Sequence, residues 1–402
     1  MRQSYRRGLL LFLALLIAVQ APFIYRRYEI ARLGERIAET AKTRREIASH
    51  EFTEIKGIIH VHTSLGGHSA ARFDELIDAA NAEDLDFVVL TEHYSRKYDT
   101  SALTLNGVYG KTLFVGGQEA DASDGGRYLL IPGSEETPQY AKMTSAEMLQ
   151  RIHSQGRIAI NNYPDRSRAE NPDFDGMEVY SLHINAKQSN PFTAIPDLIW
   201  SFQRYPEWTF ATYFRRNDDY LGRFDEAAKT RKIFLTAGAD AHSNIGFYLF
   251  ADGQGKHALG IKIDPYAMVF RLIRMHYLLP AGLALNRENL ISAIKAGNGF
   301  VGFDILGDTT GFRFRAENET GNANMGGEIQ LGSGVKLEAN APLMGRFVLF
   351  RNGEKIAESG AGFEFGTFVS QPGVYRVEVY LDSLGPPFDQ TPWILSNPVY
   401  VR

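Results

Sequence analysis

The sequence predicts an α/β protein in which an apolar N-terminal helix precedes a domain of alternating strands and helices, followed by a region of strands alone. Three observations carry that prediction. Residues 8 to 25, GLLLFLALLIAVQAPFIY, hold no charge. From about residue 52, short apolar runs alternate with segments of helical periodicity. After Gly297 the helical period stops and strand-like alternation takes over. With 402 residues the chain exceeds the usual size of one core, and 44% apolar with 22% charged residues is an ordinary globular composition. A net charge of −4 offers no general basic field for a nucleic-acid backbone, so no nucleic-acid partner is expected. The absence of cysteine excludes disulfides, thiolate metal sites and lipidation through cysteine, so any metal must be held by nitrogen and oxygen.

Residues 1–50 form the first unit. The uncharged run of 18 residues is just long enough to cross a hydrocarbon core of about 30 Å. An uncleaved anchor and a cleaved export signal both fit, the latter because Val19-Gln20-Ala21 offers small residues to a peptidase. The continuation through Phe23-Ile24-Tyr25 favours the anchor. Lys and Arg are denser after the segment than before it, which by the positive-inside rule would keep the body in the cytoplasm. Residues 28–50 have apolar positions at helical spacing among many charges and read as a helical stalk with a solvated face.

Residues 51–300 form the second unit. Strands are predicted at Gly57–Val61, Asp86–Thr91, Thr112–Val115, Arg127–Ile131, Arg157–Ile160, Met177–Tyr180 and Lys232–Thr236, with helices such as Ala71–Ala82 and Ser145–Ser154 between them. That alternation suits an α/β barrel or an open parallel sheet, both of which collect function at the C-terminal ends of their strands. The stretch from Ser189 to Lys229 breaks the rhythm and is rich in large aromatics, read either as a local core or as a substrate-stacking lid. Gly297 closes the helix of NRENLISAIKAG. Residues 301–402 read as a small β-sandwich, in which Asn352-Gly353 is a strong hairpin signal.

Candidate ligands gather at strand ends. His60 and His62, two apart, leave the same face of their strand. DFVVL ends in Thr91-Glu92-His93, TLFVGG is followed by Gln118-Glu119, and KIFLTAGA by Asp240-Ala241-His242. Imidazole with carboxylate is the ligand mix of Zn²⁺, Mn²⁺ and Fe sites. His50, His153, His257 and His276 lie in contexts without evident partners and read as structural.

His60-Val61-His62-Thr63, Thr91-Glu92-His93, Gly117-Gln118-Glu119 and Gly238-Ala239-Asp240-Ala241-His242-Ser243 resemble, in order and spacing, the motifs of the PHP (polymerase and histidinol phosphatase) family. The resemblance is greatest to its membrane-bound or exported CehA/McbA-like metallohydrolases with a C-terminal β-domain, whose close Pro392-Trp393-Ile394-Leu395-Ser396-Asn397-Pro398 resembles. It implies a distorted (β/α)7 barrel, two or three divalent metals at its mouth, and hydrolysis of a small phosphate ester by a metal-bridging hydroxide. It also implies a body on the extracytoplasmic face of a bacterial inner membrane, against the arginine count. Matched position by position, His60, His62, Glu119 and Asp240 would hold one metal, with Glu119 bridging to a second held by His68, His93 and His242. Gly66-Gly67 would turn the chain back to bring His68 in. Asp240 and His242 would also serve the chemistry.

The chain departs from the family at Asn162-Tyr163-Pro164, where Ala-His-Pro is usual, which puts a third metal in doubt. His183 would be a further ligand there or an ordinary histidine, and Arg166 a cation for substrate oxygens or a surface arginine. Glu92 stands where the family has Asp and suits a supporting role, and Glu178 reads as a strand residue. No Gly-x-Ser-x-Gly elbow surrounds Ser64 or Ser69. The alternatives are an ester or carbamate hydrolase of the same fold, a non-catalytic metal-containing binding module of the cell envelope, and a nuclease.

Overall fold

In the computed structural model, which describes residues 2–67, 69, 71–95, 97–169, 172–243, 246–251 and 257–402, the uncharged run lies within one continuous helix, α1 (Arg2–Ala41). None of its most apolar window is buried in the body. The part read as a helical stalk with a solvated face is helical to Ala41 and packs one stripe on the body. Ile30, Leu33 and Ile37, at helical spacing, are buried, because this stripe finds partners on the body. Past the helix, the backbone N–H of Arg45 donates to the carbonyl of Pro342 at 2.8 Å, and Arg44 donates to that of Thr310 at 2.9 Å.

The strands that follow are apolar on both faces, the pattern of strands covered by helices on either side. β1 (Phe52–Val61) runs parallel to β2 (Phe87–His93), and β2 parallel to β3 (Thr112–Asp121). Helix α2 (Phe73–Ala82) connects the first pair. β3 then pairs antiparallel with β4 (Arg127–Ile131), since the link between them is too short for a helical crossover. β4 pairs antiparallel with β5 (Ile158–Asn161), reached through helix α3 (Ser145–Ser154), which starts in a capping box between Thr144 and Glu147. β6 (Gly176–Ser181) and β7 (Phe234–Gly238) extend the parallel order. Beyond β7 the chain returns to β1, with Ala239 N donating to Ile59 O at 3.2 Å, Ala241 N to His60 O at 3.2 Å and His62 N to Ala241 O at 3.0 Å.

Between β6 and β7 lie four helices, α4 (Leu182–Lys187), α5 (Pro191–Trp200), α6 (Pro206–Ala211) and α7 (Asp218–Thr230). The aromatic stretch Ser189–Lys229 thus folds as helices, and it meets α1. Arg26 Nε lies 3.0 Å from both oxygens of the buried Asp197, and Trp200 Nε1 donates to Gln20 at 3.0 Å. Helix α8 (Tyr266–Leu272) precedes β8 (Arg274–Pro280), which pairs antiparallel with the outer edge of β1. Helix α9 (Arg287–Ala296) closes on Gly297 with φ 64°, as expected from the sequence.

β9 (Gly299–Gly302) pairs with β8 on one side and, much later in the chain, with β14 (Ile394–Ser396) on the other. The boundary expected at residue 300 therefore falls inside a strand, and one sheet runs through it. Of the strands that follow, β10 (Arg313–Asn318), β11 (Val335–Arg351), β12 (Glu354–Val369), β13 (Gly373–Tyr380) and β15 (Val399–Val401) are antiparallel in their main pairings. β11 and β12 form a hairpin whose turn is Asn352-Gly353, with φ 53° and 85°, the conformation for which this dipeptide is suited.

Two buried ionic clusters join these parts. Arg376 on β13 holds Asp225 of α7 through Nε at 2.8 Å and Nη2 at 2.7 Å and also binds Glu378, which Arg216 clasps from the other side at 2.7 and 2.8 Å. His276 on β8, expected to lack partners, sits between Glu54 at 2.9 Å and Asp304 at 3.3 Å. Burial opposes a charged ring there, but the two carboxylates outweigh it and raise His276 to about 9.

Asp225→Ala, which leaves the guanidinium of Arg376 buried with one partner fewer, is expected to cost about 3–5 kcal/mol in urea unfolding. His276 gives a pH signature. A group raised in the folded state contributes fully below its ordinary value of 6.5 and loses that contribution as pH rises through about 9. Melting temperature should fall across that window, by an equivalent on the order of 3 kcal/mol, and His276→Gln should flatten the fall.

Candidate metal centre

The return of β7 to β1 decides which side chains meet. His60 and His62 lie at the end of β1, Asp240 and His242 just past β7, and the backbone bonds between them set the two pairs side by side. His60 at φ 71° and Asp240 at φ 45° take left-handed backbone, uncommon for residues with a Cβ and worth about 1–3 kcal/mol of strain each. His93 ends β2, and Glu119 lies within β3, which runs four residues further than its apolar core.

These groups converge. His60 Nε2 is 3.4 Å from Asp240 and 3.9 Å from Glu119, while His62 Nε2 is 3.4 Å from Asp240 and 3.6 Å from Glu119. His93 Nδ1 lies 3.2 Å from Glu119. The His62 ring is stacked between those of His93 and His242, with centroids 4.5 and 4.4 Å away. Ligand atoms of His60, His62 and Glu119 lie within 4.8 Å of one another, and so do those of His62, His93 and His242. The clustering expected of these residues is therefore present, with His62 common to both groups. His68 lies outside the described residues.

Burial makes the cluster unusual. His60, His62, Glu119 and Asp240 are all buried, yet His60 Nε2 and both ring nitrogens of His62 have no partner of hydrogen-bond geometry among the described residues. Burial and the neighbouring His60 and His242 push His62 well below its ordinary range, which leaves a neutral imidazole fit to be a ligand. Against burial, the surrounding histidines hold Asp240 well below the carboxylate range. Burial pushes Glu119 up.

Glu178 is the residue that sequence reasoning missed. It accepts from or donates to His60 Nδ1 at 2.8 Å, fully buried, so that Nε2 of the same ring faces the cluster. A carboxylate behind a ligating histidine fixes the ring and raises its basicity. Burial lifts Glu178 to about 7, whereas His60 is drawn up to about 10 by Glu178, Asp240 and Glu119 in spite of burial. The signal was present as a lone carboxylate in the apolar strand GMEVYS. Gly238 makes the room, since a Cβ there would stand 1.9 Å from the Glu178 carboxylate.

Other expected residues take distinct places. Glu92 turns from the cluster to its loop, accepting from Thr63 N at 3.0 Å and Gly66 N at 3.2 Å. Tyr163 donates to Asp240 at 3.3 Å, and Asn162 to Glu119 at 2.7 Å, so the departing motif supports the carboxylates. Arg166 stacks on the Tyr163 ring at 4.3 Å. His183 lies at the start of α4, with its ring 6.4 Å from that of His242 and outside both three-residue groups. Arg127, not singled out in the sequence, approaches Glu119 to 3.6 Å. A cavity of about 620 Å³ opens over the cluster, lined by Arg127, Arg166 and Lys187 together with His93, His183 and His242.

No family model and no curated protein matches the chain. Among solved structures, PsfC from Pseudomonas syringae is similar over 60% of this chain and 89% of its own, with 12% identity and TM-score 0.36. A two-domain protein from Bacteroides vulgatus, described as containing a predicted PHP-like metal-dependent phosphoesterase, is similar over 88% of this chain and 98% of its own, with 14% identity and TM-score 0.39. Endonuclease Q bound to a 27-mer duplex with an abasic lesion is similar over 60% of this chain and 57% of its own, with 10% identity and TM-score 0.37.

Glu178→Gln is expected to weaken binding of added Zn²⁺ or Mn²⁺ about 10- to 100-fold in a chelator competition.

Proposed function

We propose that the chain is a metal-dependent hydrolase of the PHP type acting on phosphate esters. The observation that carries this is the set of orphaned, buried imidazole nitrogens of His60 and His62 facing the carboxylates of Glu119 and Asp240. Buried polar atoms are ordinarily paired, and imidazole with carboxylate is a donor set for Zn²⁺, Mn²⁺ or Fe²⁺, to which His60 would give up its proton on binding. His60, His62, Glu119 and Asp240 would hold one ion. His93 and His242, with His68, would hold a second that shares Glu119. Tyr163 in place of a histidine favours two ions over three, with His183 the remaining candidate for a third.

A divalent ion supplies a lowered pKa for water and charge neutralisation on the phosphoryl oxygens. The chain's own groups do the rest. Arg127 and Arg166 bind the non-bridging oxygens. As water adds to phosphorus and the ester bond breaks, the water's proton and the one taken up by the leaving alkoxide are exchanged with solvent at the mouth, while Asp240 and His242 would serve the chemistry by holding the ions in place. The products are an alcohol and the freed phosphate group. The arginine-lined mouth favours a phosphate over a carboxylic ester or carbamate. The reading takes the ring of pairings from β1 to β7 as a distorted seven-stranded barrel and residues 301–402 as a β-sandwich domain. It takes α1 as an uncleaved anchor, with the body on the extracytoplasmic face.

Elemental analysis of the purified protein should give two equivalents of metal, with hydrolysis of p-nitrophenyl phosphate or bis-p-nitrophenyl phosphate. His60→Ala should lower turnover by more than the roughly 10- to 100-fold of an outer partner. One equivalent or none, without turnover after Mn²⁺, Zn²⁺ or Fe²⁺ is restored, would overturn the reading in favour of a binding module. Turnover of p-nitrophenyl acetate alone would move it to ester hydrolysis.

A further inference from the structure

A second cavity, of about 250 Å³, adjoins the first, and His183, Asp240 and Asp264 belong to the walls of both. Unlike the mouth, it is apolar, walled by Leu182, Ala194, Leu198, Phe210, Met268 and Leu272. A polar cluster with an apolar chamber directly behind it matches a ligand that is itself polar at one end and apolar at the other.

The position of this chamber adds a second observation. Ala194 and Leu198, on one face of α5, form part of its wall. Phe192, Ile195 and Ile199, at helical spacing on another face, are exposed by 83%, 56% and 72%. An exposed apolar stripe on a ten-residue helix calls for an apolar environment. The same helix is fastened to α1 where the uncharged run ends, through Trp200 to Gln20 and Asp197 to Arg26. Arg27 binds the Trp200 carbonyl and lies 5.3 Å from the Tyr205 ring centroid. Arginine with tryptophan and tyrosine at the end of an apolar helix is the composition of a membrane interface. The apolar face of α5 is thus continuous with the membrane segment, and its other face walls the chamber.

We propose that the substrate is an amphiphilic phosphoester of the lipid bilayer, its phosphoryl group against the histidine–carboxylate cluster and its apolar tail in the chamber between α4, α5, α6 and α8, reached across α5 at the membrane surface. The proposal rests on the hydrolase reading for its chemistry, and on the second cavity and α5 for its specificity.

The test uses the full-length protein in phosphatidylcholine nanodiscs. n-Alkyl phosphates and p-nitrophenyl n-alkyl phosphates of increasing length should show kcat/KM rising about fourfold per methylene until the chamber is filled. Ala194→Trp, which fills the chamber, should abolish that increment and keep p-nitrophenyl phosphate turnover within twofold. Ile195→Glu with Ile199→Glu should lower turnover of bilayer-embedded phosphatidate at least tenfold and leave short alkyl phosphates unchanged. Rates independent of chain length, or the same increment in Ala194→Trp, would overturn the tail site. Unchanged phosphatidate turnover in the double variant would overturn the bilayer as source. If no substrate is turned over at all, the hydrolase reading fails, and retention of a fluorescent phosphatidate decides the site separately: saturable binding lost in Ala194→Trp supports it, and equal binding overturns it.

Discussion

Everything at the centre depends on three backbone hydrogen bonds that lay the chain after Gly238 against the end of Phe52–Val61. They bring the steps His60–His62 and Asp240–His242, 180 residues apart in the chain, into contact, and they do so with His60 and Asp240 in left-handed backbone. Strain of this kind persists only where the surroundings over-determine it. Here the determinants are the buried strands on either side, the Glu178 carboxylate behind His60 and the glycine at 238 that leaves space for that carboxylate. A small shift in the return would separate both sets of side chains at once. The cluster therefore belongs to the topology of the strands and not to any one loop.

The electrostatics follow from that packing. Burial alone would leave each of these groups neutral, so that carboxylates rise and imidazoles fall. The groups do not respond together. His60 rises while His62 falls, and Asp240 falls while Glu119 and Glu178 rise. Buried imidazoles and carboxylates pushed in opposite directions within one cluster mark a site that wants positive charge at its middle. A divalent cation would take over the part played by the His60 proton, since metal binding and ligand deprotonation are linked. Removing the carboxylates would be the other way to relieve the conflict. Their retention, with Asn162 and Tyr163 added as donors, costs stability that a packed apolar centre would not.

What the sequence made legible follows the range of the interactions. Helix Ser145–Ser154, the hairpin at Asn352-Gly353 and the stop at Gly297 are set by neighbours within a few residues, and all three could be read directly. The His and carboxylate positions could be read because strand ends are marked by apolar runs, although the strand carrying Glu119 proved longer than its apolar core. Long-range partnerships could not. Nothing near Glu178 indicates that it will face His60, 118 residues away, and nothing near His276 indicates Glu54 and Asp304. The antiparallel course of Thr112–Asp121, Arg127–Ile131 and Ile158–Asn161 was hidden for a similar reason, because the apolar pattern of a doubly covered strand does not record its direction. The packing of the helical stalk is not legible either, because Ile30, Leu33 and Ile37 look like the sparse apolar stripe of a solvated helix until their partners are known.

That docking changes what the N-terminal helix can do. On a free stalk the body could turn independently of the apolar run. A continuous helix whose lower turns are buried, and whose Arg26 is held by the buried Asp197, transmits the orientation of the apolar run to the body. Replacing a flexible link by a packed one also removes conformational freedom that would otherwise have to be lost each time the body met a surface. The helix and the aromatic insertion therefore act as one element. The insertion interrupts the strand and helix alternation between Gly176–Ser181 and Phe234–Gly238, and it does so on the side where the body meets the N-terminal helix. Its large aromatic residues, ambiguous between core and lid in the sequence, are divided between two tasks. Trp200 and Tyr205 grip the N-terminal helix, and Phe210 and Tyr213 wall the chamber behind the cluster. A single insertion that performs both ties the position of the mouth to the N-terminal helix, so that the helix and the site are one rigid arrangement.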